Sequence, residues 1–378
     1  MSSGLSLYIH VPFCVRKCGY CSFVSYSDRA YLIPAYVYSL INEISLTQRP
    51  QSTIETIYFG GGTPSVLSDG QIAQILNKIS EIYTLVQDAE ITLEANPGKI
   101  DAKYLSSMKS LGVNRMSLGI QSLNDEDLRF LGRSHLVNEA WRAIFDSRQA
   151  GFNNLSLDFI YGLPNRTTDK WESMLDEIID LGAEHLSLYG LTLEADTPLG
   201  QAVTNGEAPA PDADQEATEY EIACVKLGAA GYRHYEISNW ARPGFESRHN
   251  SNYWKRGEYL GLGVAAHSFI DGSRISNTVD LDEYLETIGC NRLPQADAEV
   301  ISQELALSET IFLGLRLEEG ISMDDIGRQF SIDLRSKFAA EITELSELGL
   351  VETSFSRLKL TSKGRLLGNE VFLRFLPS

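Results

Sequence analysis

Short apolar runs alternate with amphipathic stretches through the first half of the chain. Six runs are apolar or alternate apolar with polar residues, and each is bounded by turn residues, a pattern that predicts β-strands. They span residues 5–10, 54–59, 90–94, 115–119, 155–160 and 185–189. Helical spacing falls between them, at 36–45, 69–82, 101–111, 138–150 and 170–181. Repeated strand–helix units of this length predict a parallel sheet with helices outside it, either doubly wound or most of a barrel.

Glycines and polar residues follow five of these strands, and their position favours the barrel. In parallel α/β barrels the chemistry collects in the loops at the carboxyl ends of the strands, whereas the opposite rim is mostly structural. The five strand ends lead into residues 11–21, 60–64, 94–97, 119–122 and 158–164. Each could be ordinary turn chemistry, but five at one rim predict an α/β fold with a partial (β/α)6 TIM-type barrel.

Three cysteines in a CxxxCxxC spacing, Cys14, Cys18 and Cys21, occupy the first of these loops. Thiolates are the ligands of iron–sulfur clusters, and each of the three can hold one iron of a [4Fe–4S] cube. The fourth iron would then be open to the amino and carboxylate groups of S-adenosylmethionine, a cofactor of radical chemistry. The alternatives are chance free thiols or a structural zinc site, whose nearest fourth ligand, His10, lies on the preceding strand.

Residues at the other strand ends suit such a cofactor. Consecutive glycines let backbone carbonyls approach its ammonium group, because a Cβ would hold them off. Glu94 and Asp158 can accept hydrogen bonds from ribose hydroxyls or the amino group. Gln121 offers both donors and acceptors, and Arg133 can form a two-pronged pair with the carboxylate. A surface arginine is the alternative interpretation of Arg133.

Length and composition limit the number of domains and indicate the compartment. The chain has 378 residues, 43% of them hydrophobic, which is enough for one barrel and one or two smaller domains. The first residues have no basic and apolar leader, and no window approaches eighteen uninterrupted apolar residues. We therefore expect no signal peptide, no stable membrane span and a cytoplasmic location. Cys224 and Cys290 are interpreted as small core residues outside any disulfide framework.

The net charge of −19 argues against a non-specific grip on phosphate backbones, so no nucleic-acid partner is expected. The excess is concentrated between Trp171 and Val225, where thirteen Asp and Glu stand without a Lys or Arg. Two interpretations remain open for this segment. It is either a solvated helix face followed by an acidic loop, or a docking surface for a basic partner.

The cysteine loop, the GGGTP segment, the GIQS turn, Glu94, Arg133 and Asp158 resemble the radical SAM superfamily. The resemblance covers nearly the whole chain and points to the branch of oxygen-independent coproporphyrinogen III dehydrogenases and HemW-type haem chaperones. It implies that Cys14, Cys18 and Cys21 bind a [4Fe–4S] cluster. The implied S-adenosylmethionine contacts are Tyr8, Tyr20, Gly61, Gly62, Thr63, Glu94, Gln121, Arg133 and Asp158.

Three features favour the chaperones over the dehydrogenases. The dehydrogenases carry a further cysteine where this chain has Phe23, and an extension before the first strand, which starts here by about Leu5. Residues 249–254 also match the HNxxYW signature of the chaperones. Imidazole is a common axial ligand of haem iron, and aromatic rings can cover a porphyrin face. The implied haem contacts are His249, Asn250, Tyr253 and Trp254; His267 could face the same cavity, although a core role explains it equally well.

The pattern changes after residue 301. Helical segments at 302–315, 322–330 and 334–348 and a hairpin at 349–364 predict a small winged-helix-like domain. Residues 301–378 hold nine Lys and Arg against twelve Asp and Glu, so a lid or docking module is favoured over a DNA-reading wing. The predicted domains are a barrel at 1–191, a region at 192–300 that closes the barrel and carries HNxxYW, and this domain at 301–378.

The resemblance implies a haem chaperone that holds a [4Fe–4S] cluster, S-adenosylmethionine and haem, and delivers the haem to acceptor haemoproteins, respiratory ones among the candidates. The cluster and cofactor are expected to regulate it, since haem transfer needs no radical. The alternative is an oxygen-independent coproporphyrinogen III dehydrogenase, which would decarboxylate its substrate by radical chemistry. A DNA-binding regulator with a cluster sensor is a third, weaker interpretation.

Overall fold

A computed structural model describes residues 4–49 and 52–377. The sequence predicts that residues 1–4 carry no leader. Of these residues, the structure describes Gly4, and the others lie outside the described residues. The strands are β1 Leu5–Val11, β2 Thr53–Gly61, β3 Thr84–Ala95, β4 Arg115–Gln121, β5 Leu155–Tyr161, β6 His185–Gly190, β7 Arg233–Glu236, β8 Asn239–Ala241, β9 Tyr259–Leu262, β10 His267–Ile270, β11 Ser273–Asn277, β12 Gln295–Val300, β13 Ile321–Ser322, β14 Val351–Ser354 and β15 Arg357–Leu360.

The helices lie mainly between the strands of the first half and after residue 300. They are α1 Ile33–Leu46, α2 Asp69–Ile82, α3 Ala102–Ser110, α4 Asp125–Phe130, α5 Val137–Gln149, α6 Thr168–Asp180, α7 Pro198–Thr204, α8 Ala213–Ala229, α9 Arg248–Trp254, α10 Leu281–Gly289, α11 Gln303–Leu315, α12 Met323–Phe330, α13 Leu334–Lys337, α14 Ala339–Glu347, α15 Ser362–Leu366 and α16 Gly368–Leu373. None of the helices described is long and apolar enough to cross a membrane.

The six strands predicted from the first half are β1 to β6, which run parallel and neighbour one another in chain order. All five predicted helices are present between them, as α1, α2, α3, α5 and α6. The sequence analysis missed the short α4. The predicted α/β fold, a parallel sheet with helices and a small C-terminal domain, is confirmed.

The two faces of this sheet differ in polarity because side chains alternate along a strand. In β4, Met116, Leu118 and Ile120 join the main hydrophobic core beneath the helices. Arg115 and Ser117 point the other way, into the space that the curved sheet encloses, and both are nevertheless buried. The other barrel strands repeat the pattern, so the outer face is packed with apolar side chains and the inner face is polar.

The region at 192–300 does not close the barrel as predicted. At one end of the sheet β9 pairs with β1, and β10, β11 and β12 follow it antiparallel; at the other end β8 and β7 follow β6. The sheet of the described residues is thus open, with β7 and β12 at its edges. Strand β10 begins only at His267, because Gly263 (φ 102°) and Ala265 (φ 58°) just before it adopt left-handed backbone conformations.

The two edge strands differ in whether another part of the chain covers them. Glu236 of β7 forms an isolated bridge with Leu317 from the C-terminal part of the chain. The backbone N–H of Glu318 donates to the carbonyl oxygen of Tyr235 at 3.0 Å, so this edge is covered. Strand β12 is exposed along its whole length.

Residues after 301 have a second hydrophobic core, which includes Ile311, Leu345 and Leu358. Strands β13, β15 and β14 form its three-stranded sheet, and the helix–hairpin order matches the prediction. The single helix predicted at 334–348 is divided into α13 and α14 at Phe338. That residue leaves the helical conformation (φ −113°, ψ 29°) and packs its ring against Phe375 at 5.4 Å.

Candidate functional site

A cavity of about 470 Å³ opens at the carboxyl ends of the barrel strands, and we call it the cysteine cavity. The predicted cluster and cofactor residues meet there, with one exception. Those that line it are Cys14, Cys18, Cys21, Tyr20, Gly61, Gly62, Thr63, Glu94, Gln121, Arg133 and Asp158. Tyr8 is the exception, because its side chain lines a second cavity.

The cysteine loop is held in place by backbone hydrogen bonds to two neighbouring segments. The N–H of Cys14 donates to the carbonyl oxygen of Tyr26 at 3.0 Å, which closes the loop on itself. Gly19 donates to Leu131 at 3.3 Å and accepts from Leu199 at 2.8 Å. These bonds fix the thiols on one wall of the cavity before any ligand enters it.

The donor set fits a three-thiolate cluster better than a single ion. Burial raises the pKa of the Cys21 thiol, and the nearby Cys18 and Cys14 add to that effect. Within the part of the chain that the structure describes, no three acidic, His or Cys side chains converge closely enough for one metal ion. A four-iron cube binds each thiolate through a different iron, so it needs a wider spacing.

The glycine turn after β2 packs against the cysteine loop. A Cβ on Gly62 would lie 2.8 Å from the carbonyl oxygen of Phe13 and 2.9 Å from that of Val11, so no other residue fits without a shift. Gly61 has a φ of 105°, a left-handed conformation. The glycines were expected to admit a cofactor; in the structure they also bring the turn against the loop that carries the thiols.

Two half-buried carboxylates line the cysteine cavity. Glu94 accepts a hydrogen bond from the hydroxyl of Tyr58 at 2.7 Å, and burial raises its pKa to about 7. Asp158 accepts from the hydroxyls of Ser117 at 3.0 Å and Ser156 at 3.1 Å. Burial also raises the pKa of Asp158, while these hydrogen bonds and the Arg115 charge act in the opposite direction. A cationic ligand would find two carboxylate acceptors here.

Arg133 reaches across the cavity but is already engaged. Its Nη2 donates to the carbonyl oxygen of Gly119 at 2.8 Å, and its Nη1 donates to the Cys18 sulfur at 3.4 Å. Its buried Nε has no partner among the described residues. The predicted two-pronged carboxylate pair would compete with these contacts. Gln121 stands nearby with a φ of 70°, a left-handed conformation uncommon for a residue other than glycine.

Sequence reasoning missed several polar residues of this cavity. Tyr58, Arg115 and Ser187 line it, and Arg115 is fully buried with an unpartnered Nε. The signal was present, because these residues alternate with the apolar positions of their strands. The strands were identified as apolar runs, so their inward polar positions were not examined.

The HNxxYW segment forms the helix α9. Ser247 caps it by accepting from the N–H of Asn250 at 3.2 Å. The Glu90 carboxylate from β3 accepts from the N–H groups of Arg248 at 3.1 Å and His249 at 3.0 Å. A capping side chain and an anion at the first turn both stabilise a helix.

His249 is buried, and both of its ring nitrogens have partners. Nδ1 lies 2.7 Å from the hydroxyl oxygen of Thr56, and Nε2 lies 2.8 Å from that of Tyr253. Burial lowers the pKa of His249 to about 3, so the ring is neutral. In this conformation it presents no free nitrogen to an iron. The predicted axial role remains untested and would require these bonds to break.

The four residues of the HNxxYW prediction do not surround one cavity. Asn250 lines the cysteine cavity, whereas Tyr253 and Trp254 line the second cavity, of about 630 Å³, which we call the aromatic cavity. Three stacked rings stand between the two cavities and form the ring stack: Tyr58 lies 4.9 Å from His249 and 6.3 Å from Tyr8. Ser22 and Phe23 line both cavities at their mouths.

Comparison with known proteins identifies the two parts of the chain. Residues 8–178 match the radical SAM superfamily and residues 301–367 match the HemN C-terminal domain. The solved structure of coproporphyrinogen III oxidase (HemN) from Escherichia coli superposes with a TM-score of 0.87 at 23% identity, covering 99% of this chain and 90% of that one. This likeness supports the fold.

Curated relatives match over their full length. The haem chaperone HemW of Bacillus subtilis is 37% identical over 98% of this chain and 99% of its own, and that of Lactococcus lactis is 36% identical over 98% and 97%. The mouse mitochondrial radical S-adenosyl methionine domain-containing protein 1 is 33% identical over 100% of this chain and 88% of its own. The chain therefore belongs to the radical SAM superfamily and, within it, to the HemW family.

Proposed function

We propose that this protein is a haem chaperone, which binds haem and transfers it to acceptor haemoproteins. The observation that carries the proposal is the match to haem chaperones over the whole length of the chain, 37% identical to the Bacillus subtilis protein. A match through one domain alone would not indicate which ligand the protein carries. A cytoplasmic location and respiratory haemoproteins as candidate acceptors remain predictions of the sequence.

We further propose that the cysteine cavity holds the [4Fe–4S] cluster and S-adenosylmethionine. Cys14, Cys18 and Cys21 would each bind one iron, which leaves the fourth iron to chelate the amino and carboxylate groups of the cofactor. Glu94 and Asp158 are half-buried acceptors facing the same space. When bound, such a cluster supplies one-electron chemistry to the cofactor.

Phe23 supports the chaperone over a coproporphyrinogen dehydrogenase. This position is where the resembling dehydrogenases carry a further cysteine, and a phenyl ring can neither bind metal nor transfer a proton. The side chain is 64% exposed at the mouth of both cavities. An apolar ring there suits contact with a flat apolar ligand.

The test is an anaerobic haem titration of the cluster-reconstituted protein, followed by absorbance and completed by transfer to apomyoglobin as a defined acceptor. We expect saturable binding of one haem per chain. Absence of binding would overturn the chaperone proposal. Formation of protoporphyrinogen from coproporphyrinogen with S-adenosylmethionine and a reductant would instead establish the dehydrogenase.

A further inference from the structure

We propose that the haem sits in the aromatic cavity with His267 as its iron ligand, with Arg256 and Arg274 facing the propionates, and that His249 positions the wall of this cavity. The inference rests on the proposed function, because it states where and by which atoms that cargo is held. It differs from the motif-based expectation, in which His249 binds the iron.

The aromatic cavity has the size and lining that a porphyrin requires. Its volume of about 630 Å³ exceeds that of the cysteine cavity. Ligand cavities in proteins are typically lined by apolar and aromatic side chains with a few polar groups that fix orientation. The rings in this wall are Phe23, Tyr253, Trp254, Tyr259, Phe269 and Phe312.

Strand alternation turns His267 towards this cavity. His267 and Phe269 lie on one face of β10 and both line the cavity. Ser268 and Ile270 lie on the other face, where the Ser268 hydroxyl accepts from the N–H of Gly261 at 2.9 Å and Ile270 joins the core. The His267 side chain is exposed, and its ring forms no hydrogen bond within residues 4–49 and 52–377.

The other histidines near the ring stack are already bonded at both nitrogens. His10 lies 3.2 Å from the hydroxyl of Tyr8 through Nδ1 and 3.0 Å from the carbonyl oxygen of Val24 through Nε2. His249 is held as described above. An imidazole with an unoccupied ring nitrogen is what axial ligation of haem iron needs. Among the described residues that line the aromatic cavity, His267 meets this condition.

Two arginines supply positive charge beside Phe269, the neighbour of His267 on the same face of β10. Arg256 and Arg274 both line the aromatic cavity and share the buried carboxylate of Glu309, from α11. Arg256 donates through Nε at 2.8 Å, which leaves its two η nitrogens without a partner in the described part of the chain. Arg274 also contacts Glu299 at 3.4 Å on the solvent side. Guanidinium groups of this kind pair well with carboxylates.

Trp254 adds a donor that no protein group accepts. Its indole Nε1 is buried without a hydrogen-bond partner among the described residues, although its side chain lines the aromatic cavity. The guanidinium of Arg316 stacks on its ring at 4.3 Å and fixes the plane. Buried donors are normally paired in folded proteins, so an unpaired one at a cavity wall indicates a missing acceptor. The nitrogen itself is not exposed to the cavity, so a propionate oxygen could accept from it only after the ring shifts.

His249 then affects the haem site through Tyr253, without contacting the haem itself. Its Nε2 contact holds the hydroxyl of Tyr253, whose ring stands edge-on to Tyr259 at 4.7 Å. Removing the imidazole would loosen this wall without taking away an iron ligand. We therefore expect the two histidine variants to differ in kind, since one changes the iron coordination and the other only the affinity.

The test compares His267→Ala and His249→Ala with the wild type in the anaerobic titration, with electron paramagnetic resonance of the ferric haem as the second readout. We expect His267→Ala to lower affinity about tenfold or more, as loss of a metal-site interaction does, and to lose the imidazole-ligated signal. Added imidazole should restore that signal. His249→Ala should keep the signal and weaken binding about threefold, the effect of one lost hydrogen bond.

The outcomes separate the two proposals. If the wild type binds no haem, the chaperone function fails and the site proposal fails with it. If the wild type binds haem but His267→Ala keeps the wild-type signal while His249→Ala loses it, the chaperone function stands and the site proposed here is wrong. Circular dichroism and cluster absorbance of each variant check that it folds and retains the cysteine site.

Discussion

The cysteine cavity and the aromatic cavity lie on opposite sides of the ring stack and have opposite chemistry. The first presents thiols, the Glu94 and Asp158 carboxylates and the buried Arg115. The second presents mainly rings, with His267 and two arginines at its polar points. A charged cofactor needs fixed hydrogen-bond partners, whereas a porphyrin needs a flat apolar wall. One barrel thus provides separate sites for two ligands, one on each side of the ring stack.

The largest effect is expected from Cys18→Ala, which tests whether the two cavities are independent. Loss of one of three thiolates should abolish the cluster, so iron content should fall from about four per chain to near zero. Haem binding should survive, because no thiol lines the aromatic cavity. Iron analysis and haem titration measure both. Cys290 is exposed, so its interpretation as a core residue was wrong. Cys290→Ala is therefore the control and should retain its iron. Loss of haem binding together with the cluster would show that the cavities depend on each other.

Glu94→Gln should raise the stability of the protein at pH 8 and weaken cofactor binding in the cysteine cavity. The folded-state pKa of Glu94, about 7, lies above its ordinary 4.5. The folded state therefore holds an extra proton between these values, and stability falls as pH rises through this window and stays constant above it. At pH 8 the variant should be more stable by at most about 3 kcal/mol, since the cavity admits water.

Chemical denaturation of Glu94→Gln at pH 4 and pH 8 measures this difference, which should vanish at the lower pH. Binding of S-adenosylmethionine, measured by calorimetry, should weaken because the acceptor has lost its charge. Glu221→Gln changes an exposed glutamate of α8 and should alter neither quantity. If the variant and the wild type were equally stable at both pH values, the Glu94 carboxylate would be in a more hydrated setting than the structure indicates.

The smallest effect is expected from Phe23→Ala, at the mouth that both cavities share. Removing the ring should speed haem release to apomyoglobin about threefold, a loss of roughly 0.7 kcal/mol that suits a half-exposed apolar contact. Stopped-flow absorbance measures the rate. Iron content should not change. Phe355→Ala, at a ring 98% exposed on the C-terminal hairpin, is the matched control. Unchanged release would exclude Phe23 from the haem site.

Much of the fold could be predicted because the barrel strands have a strong hydrophobic signal. Strands β1 to β6 bury apolar side chains under the helices, so their runs are visible in the sequence. Strands β9, β11 and β12 were missed. Residues of β11 are polar and only partly buried, and the strand is held by backbone pairing with β10 and β12. Pairing of that kind leaves no periodic pattern in the residues themselves.

The cysteine cavity was largely predictable, whereas the haem contacts were not. Successive parallel strands place their loops at one rim, so sequence order alone brings the cavity residues together. The HNxxYW residues are neighbours in sequence, but a helix turns by about 100° per residue. His249 and Tyr253, four residues apart, therefore share a face, while Asn250 points to the other cavity. Residues adjacent in this motif therefore line two different cavities.

The open edge of the sheet determines how copies of this chain can approach one another in concentrated solution. The C-terminal part covers β7, but the exposed strand β12 could pair with a second β12 to form a continuous intermolecular sheet. An antiparallel pairing centred on Ala298 would set Asp297 of each copy against Glu299 of the other. Like charges directly opposite are destabilising. The carboxylates that would face each other therefore oppose the pairing of two copies through this edge.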